Sequence, residues 1–344
     1  QKAGEAGSSE RLEDHPGEAP VVGVTALGAC SGGMDGILAA ALLAEQGVSV
    51  ELVTFESPFF SPEGGRAAAL ELGAPWHCED ISEGMLELLR DPPSGFGKNL
   101  NPCIDCHALM FSRLGQLALR RGAAFIFTGE VLGQRPMSQN RGSLNRIARL
   151  SGYQDILLRP LSAKLLRPTR PEMEGLVDRE RLLDLSGRGR KRQRELAARV
   201  GIAPRQAAGG CILTDPAYSS RLARLLERPG LLTVENCRLL QHGRVYDLPG
   251  GALGIVGRNR RDNLALLETA GPGHTVVELT GVPGPIGVLM GSPEDLTLLC
   301  SLVAYHAKVP PGTRAILATR DGTLVSAVPA TERLNDDLMI RQTR

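Results

Sequence analysis

The chain has 344 residues, more than one hydrophobic core usually organises, so two or three domains are expected. Hydrophobic residues at 42% and charged residues at 22% exclude a wholly disordered chain, and a net charge of +1 excludes a uniformly basic protein while leaving local patches open. Aromatic residues are only 3%, so any nucleic-acid surface has to rest on phosphate contacts and shape rather than on stacked bases. Residues 1–20, QKAGEAGSSERLEDHPGEAP, are polar and aperiodic and read as a disordered leader. They hold no apolar signal-peptide core, and no later segment reaches the roughly 18 consecutive apolar residues of a membrane span. The expectation is a cytoplasmic protein with no membrane partner.

From residue 21 the elements alternate. VVGVTALG reads as a buried strand, residues 36–46 as a helix, VSVELVTF as a strand and residues 62–72 as a helix. PWHCEDI, a helix near Met85, a helix from the Cys103 region to about Gly122 and the strand AAFIFTG continue the series. Strands alternating with helices of this size predict an α/β fold, a doubly wound parallel sheet covered on both faces. Ligands of such sheets bind at the carboxyl ends of the strands, where Ser31, residues 54–56 with Thr54 and Phe55, and residues 128–130 with Thr128 and Gly129 fall. Residues 135–205 turn basic and loop-rich, and five of the seven residues from Arg188 to Arg194 are basic. That run reads either as a solvated face offset by Asp184 and Glu195 or as an RNA contact through Arg188, Arg190, Lys191 and Arg192. Residues 216–330 predict a second, smaller α+β domain with one clear helix in SPEDLTLLCSLVAYHAK, and residues 331–344 a tail.

The strand-to-helix turn Ser31-Gly32-Gly33-Met34-Asp35-Gly36 carries the first chemical signal. Unpaired N–H groups and the positive end of the helix cradle an anion there, and the glycines let backbone approach it. The turn matches neither GxxxxGK[ST] nor GxGxxG. The second signal is the set of seven cysteines, an odd number without a secretory signal, which argues against structural disulfides. Cys103 and Cys106 stand in NPCIDCH, and Cys211 lies far along the chain in GGCILT. Cys-x-x-Cys-His taken literally is a haem c attachment pattern, which requires export. A structural zinc site would need His107 or Cys78 to complete four ligands. Cys30, Cys237 and Cys300 read as small core hydrophobes, and His242, His274 and His306 have no ligand spacing.

SGGMDG resembles the SGGxDS signature of the PP-loop ATP pyrophosphatases, enzymes that cleave ATP to AMP and pyrophosphate while adenylating a substrate. The resemblance implies that Ser31, Gly32 and Gly33 hold the pyrophosphate end of ATP and that Asp35 lies near the phosphates or their Mg2+. Gly36 departs from the pattern, where the family has serine. NPC followed by a second cysteine, then a distant one, is similar to the tRNA thiouridylases of the same group. In one branch two cysteines act as nucleophile and persulfide carrier. In another, three cysteines hold a [4Fe-4S] cluster with one iron open for sulfide, and Cys103, Cys106 and Cys211 fit that branch better. The partners so implied are tRNA and a sulfur donor, sulfide or a persulfide carrier.

FTGEVLGQRPMSQ stands where related thiouridylases line the nucleotide, which implies roles for Thr128, Gly129, Glu130, Arg135 and Ser138. LLRPLSAKLLRPT offers Arg159, Ser162, Lys164 and Thr169 as phosphate or RNA contacts. HGRVYDLPGGALGIVGRNRRDNLALLE with GVPGPIGVL is similar to the NFACT-R domain, an RNA-associated module, most specifically at Gly257, Arg258, Asn259 and Asn263. The expected function is ATP-dependent thiolation of a uridine in tRNA. Two alternatives remain: an adenylating, amide-forming enzyme on a small metabolite, and an RNA-binding adaptor with a decayed PP-loop, to which Gly36 points.

Overall fold

The computed structural model describes residues 23–203 and 211–341, so the expected leader, residues 1–20, lies outside the described residues. The first half runs β1 (Thr25–Ala29), α1 (Met34–Ala44), β2 (Ser49–Glu56), α2 (Glu63–Leu72), β3 (Trp76–Asp80), α3 (Ser82–Arg90), α4 (Cys103–Arg121), β4 (Phe125–Thr128), α5 (Arg141–Ser151) and β5 (Leu157–Leu158). The five strands are parallel in the order β3-β2-β1-β4-β5. The chain moves outward from β1 to β3 and then crosses back to place β4 beside β1. That reversal opens a crevice at the carboxyl ends of β1 and β4, the usual ligand position in an open parallel sheet. Both faces of the sheet are covered, which is why β4 reads FIFT with every residue buried. Gly28 makes room in the middle: a Cβ there would lie 2.1 Å from the Phe127 ring on the neighbouring strand.

The chain continues through α6 (Arg170–Met173), α7 (Lys191–Arg199), α8 (Pro216–Leu226) and α9 (Val234–Leu239). The second half then forms β6 (Arg244–Asp247), β7 (Leu253–Val256), α10 (Arg260–Thr269), β8 (His274–Leu279), β9 (Gly287–Met290), α11 (Leu296–His306), β10 (Ala315–Thr319), β11 (Leu324–Ala327) and α12 (Glu332–Leu338). Its strands build an antiparallel sheet in the order β11-β10-β8-β9-β7-β6. Period-two alternation splits this sheet between two cores. Val245, Ile255, Val276 and Val288 join the same apolar cluster as the first sheet, together with Leu222, Leu225 and Leu239. Tyr246, Val256, Val277 and Leu289 pack instead with Leu299, Leu302 and Val303 of α11. One contiguous core therefore crosses the division expected near residue 215.

Within the loop-rich stretch 135–205 stands one well-packed helix. Asn140 caps α5 by accepting the Ser143 N–H, and Leu144, Ile147, Ala148 and Ser151 bury one helical stripe that the surrounding arginines obscured. The expected tail contains α12, whose Asn335 accepts a hydrogen bond from the buried Tyr246 hydroxyl at 2.8 Å. Cys30, Cys237 and Cys300 are buried as expected. No helix among the described residues is long and apolar enough to cross a membrane.

Candidate active site

Where β1 ends, the backbone turns through Cys30–Gly33 and enters α1, with the extended Gly33 as a cap that has no side chain. The first-turn N–H groups thus have no side-chain acceptor and face the crevice. The turn is packed against glycines at the start of α2 and just past β4. Gly32 has φ +85° and a Cβ on it would stand 2.2 Å from the Gly64 carbonyl oxygen, so both handedness and space demand glycine there. A Cβ on Gly65 would meet the Cys30 carbonyl oxygen at 2.5 Å, and one on Gly129 would lie 2.4 Å from both Asp35 C and Gly36 N. Gly64 and Gly65 were missed in the sequence. The signal was available, because two adjacent glycines in the first turn of a helix each cost about 1 kcal/mol against alanine and so need a packing reason. Gly36 faces inward: a Cβ there would come within 3.2 Å of the Cys30 sulfur.

Asp35, in the first turn of α1, receives the Gln134 amide on Oδ2 at 2.5 Å, while its Oδ1 is buried with no hydrogen-bond partner. Arg190 stands 3.8 Å from the same Oδ2. Because a carboxylate only accepts, Gln134 must turn its NH2 to Asp35, which leaves its carbonyl to accept from the buried Gln193 of α7 at 2.9 Å. A polar relay from α7 therefore orients the loop carboxylate. Neither glutamine was singled out in the sequence, and isolated glutamines carry no local signal. Arg190, expected at RNA, lies instead in the crevice.

A cavity of about 240 Å3 opens here, lined by Ser31, Gly33, Asp35, Gly36, Phe55, Thr128, Gly129, Arg135 and Arg190 among others. Apart from Arg190 these are expected nucleotide-side residues, and two of the expected set are missing from the lining. Gly32 shapes the turn from behind. Thr54 does not line the cavity: its hydroxyl donates to the Cys30 carbonyl at 2.8 Å and accepts from the Trp76 indole, so its role is to clamp the loop to β2 and β3. One orphan carboxylate oxygen beside unpaired N–H groups suits Mg2+, which binds through one or two carboxylates together with substrate phosphates.

Glu130, just past β4, is buried and paired on both sides, with Arg159 Nε at 2.9 Å and His107 Nδ1 at 2.8 Å. Burial opposes its charge, but Arg159 and His107 outweigh burial and hold its carboxyl below the usual range. Arg159 is thus an internal strut, and it is not available to RNA. Ser162 is likewise internal, donating to the Leu185 carbonyl and accepting from the Leu132 N–H, and Thr169 forms the capping box of α6.

Cys103 and Cys106 occupy the first turn of α4, and Cys211 is brought to them from far along the chain. The Ile212 N–H donates to the Phe59 carbonyl, and the Asn99 amide donates to the Thr214 carbonyl at 2.7 Å, which pins the returning segment beside α4. All three cysteines line a second cavity of about 320 Å3 with Asn101, His107, Met110, Met137 and Ser138. Cys103 Sγ accepts from the Asn101 amide at 3.1 Å. Burial pushes the Cys106 thiol far up, helped by the nearby Cys211 and Cys103, and pushes Cys211 to about 12. Cys211, His107 and Arg135 border both cavities, so the nucleotide crevice and the cysteine cavity adjoin. Among the described residues no three His, Cys, Asp or Glu side chains are grouped to hold a metal ion. The donor set therefore does not fit a structural zinc ion with His107 or Cys78.

The remaining basic candidates are mostly paired. Lys164 donates to the Glu180 carbonyl and carboxylate, Lys191 stands 3.9 Å from Glu195, Arg192 meets Asp184 at 2.7 Å and Arg258 meets Asp262 at 2.7 Å. Arg188 is exposed.

No family model matches this chain. It is 37% identical over 115 residues to the tRNA-specific 2-thiouridylase MnmA of Syntrophotalea carbinolica, a match that takes in 29% of this chain and 33% of that protein. Among solved structures, it is similar to a 4-thiouridine synthetase in complex with RNA and bound ATP, at 24% identity and a TM-score of 0.37, over 64% of this chain and 52% of that one. It is also similar to the C-terminal part of the fibronectin/fibrinogen-binding protein of Streptococcus suis, at 13% identity and a TM-score of 0.27, over 75% of this chain and 94% of that one. At these scores the two structural likenesses say nothing of activity. The chain matches about a third of the length of the curated thiouridylase, and over that stretch the two are homologous.

Proposed function

We propose that the protein is an ATP-dependent RNA-modifying enzyme that adenylates a uridine carbonyl, in tRNA, and replaces its oxygen by sulfur carried at Cys103, Cys106 and Cys211. The observation that carries this reading is the junction of the two cavities at Cys211, His107 and Arg135. An adenylated base must meet sulfur before water reaches it, and adjoining, partly enclosed cavities serve that need. The homologous stretch shared with a tRNA-specific 2-thiouridylase supports RNA as the substrate class.

The chemistry follows from the residues. A uracil carbonyl oxygen leaves poorly, and transfer of AMP from ATP with loss of pyrophosphate turns it into a good leaving group. The free N–H groups at the start of α1 receive the pyrophosphate end, and Asp35 would hold Mg2+, which supplies charge neutralisation when bound. Arg190 adds positive charge beside Asp35. A persulfide on one cysteine attacks the activated carbon through its outer sulfur, the carbon–oxygen bond breaks and AMP departs. A second cysteine then attacks the inner sulfur of that persulfide, which frees the thiocarbonyl and leaves a cysteine pair as a disulfide for an external dithiol to reduce. The same three cysteines are also the ligand set of the cluster branch, in which each thiolate binds a different iron.

The test supplies purified protein with ATP, unmodified tRNA and a persulfide donor, and measures AMP and thiolated uridine by mass spectrometry. The reading expects one AMP per sulfur, with thiolation lost in Cys211→Ser. AMP formed on a small metabolite and unaffected by replacing all three cysteines would favour the amide-forming alternative. No AMP with any substrate would favour the adaptor. Brown protein with stoichiometric iron would restore the cluster.

A further inference from the structure

The basic residues fall into two groups with different partners. Around α7, Arg190 faces Asp35, Lys191 faces Glu195 and Arg192 faces Asp184, so most of that charge is answered within the chain. Helix α5, RGSLNRIARLS, carries Arg141, Arg146 and Arg149 with no acidic residue, and the loop ahead of it carries Arg135. All four side chains belong to exposed residues, and no carboxylate among the described residues forms an ion pair with them. Arg141 donates to the Leu165 carbonyl and Arg146 to the Ser94 hydroxyl at 3.0 Å, partners that fix direction without cancelling charge.

This face is tied to the cysteine cavity by two routes. Arg135, Pro136, Met137 and Ser138 line that cavity and lead directly into the Asn140 cap of α5. Ser94, which receives Arg146, also donates to Asp105, one of the two residues between Cys103 and Cys106 in the first turn of α4. An uncompensated row of guanidinium groups ending at an enclosed cavity of about 320 Å3 suits a polyanion that must deliver one base.

We propose that the RNA backbone lies along the exposed face of α5, by Arg149, Arg146 and Arg141, and at Arg135 turns its target base into the cysteine cavity, while the Arg190 end of α7 serves the nucleotide. This inference rests on the RNA-modifying reading above. It makes α5, and not the longer basic run at Arg188–Arg192, the main ionic contact.

The test measures the affinity of the full chain for tRNA against KCl concentration. Each lost phosphate contact lowers the salt slope by about 0.7 to 0.9. Arg146→Gln with Arg149→Gln is expected to lower the slope by about 1.5 and to weaken binding at least tenfold at low salt, with ATP affinity unchanged. Arg149→Gln alone, at an exposed position with no partner to lose, is expected to lower it by about 0.7. Arg188→Gln with Lys191→Gln is expected to leave it unchanged. A slope that falls in the second pair and not in the first overturns the α5 assignment while the RNA reading stands. Wild-type protein that binds tRNA without salt dependence, or not at all, overturns both.

Discussion

Gly129 brings the chain just past β4 against the backbone of the phosphate loop with no room for a side chain. A Cβ there would lie 2.4 Å from Asp35 C and Gly36 N and 2.5 Å from the Asp35 carbonyl oxygen, all backbone atoms that no rotamer change can move. Relief to an ordinary contact of 3.4 Å requires the loop and β4 to separate by about 1 Å. Overpacking of this kind costs about 1–3 kcal/mol, and a 1 Å displacement of a reacting group costs about a hundredfold in rate. Gly129→Ala is therefore expected to remain folded and to lower kcat/KM for RNA-dependent AMP formation about a hundredfold. Gly271→Ala is the control, since a Cβ there meets nothing within 4 Å, and its activity should match the wild type. A Gly129→Ala enzyme within threefold of wild type would refute the claim that the close approach of β4 positions Asp35.

Gln134→Leu removes the donor to Asp35 and leaves the buried Gln193 amide without its acceptor, so urea unfolding should show a loss of about 1–3 kcal/mol together with a raised KM for ATP. A raised KM without any loss of stability would mean that Gln193 has another partner. Arg159→Leu strands a buried carboxylate and should cost about 3–5 kcal/mol at pH 7. Because the Glu130 carboxyl is held below its ordinary value of 4.5, its stabilising contribution is complete above that value and is lost as pH falls through the lowered one. The gap between wild type and Arg159→Leu should accordingly shrink in acid, and a gap independent of pH would contradict this. Maleimide at pH 8, read by mass spectrometry, should modify the exposed Cys78 before Cys211, whose thiol sits at about 12, and Cys106 last. Early modification of Cys106 would show that the cysteine cavity opens freely.

The parallel sheet was legible because its strands are continuous apolar runs separated by helical stretches, and the loop because its glycines interrupt such a run. Helix α5 was hidden by its own surface: a stripe of Leu144, Ile147 and Ala148 sits among arginines that read as loop. The return of Cys211 to Cys103 and Cys106 depends on two backbone anchors, at Phe59 and Thr214, and long-range carbonyl contacts leave no trace in local pattern. The basic run at Arg188–Arg194 was visible as charge. Which of its members face Asp35, Asp184 or Glu195 depends on tertiary placement, so composition could not separate a nucleotide contact from a surface pair. Thr54 shows the reverse error, a polar residue at the carboxyl end of a strand that is taken up entirely by internal hydrogen bonds.

The claim at the centre of this account is that the crevice and the cysteine cavity act together on one base. Mass spectrometry of tRNA nucleosides from cells lacking this protein, and from the same cells supplied with wild type or Cys211→Ser, tests it most directly. One thiolated uridine is expected to disappear with the protein, to return with the wild type and not to return with Cys211→Ser. An unchanged set of thiolated nucleosides, or full rescue by Cys211→Ser, would contradict it.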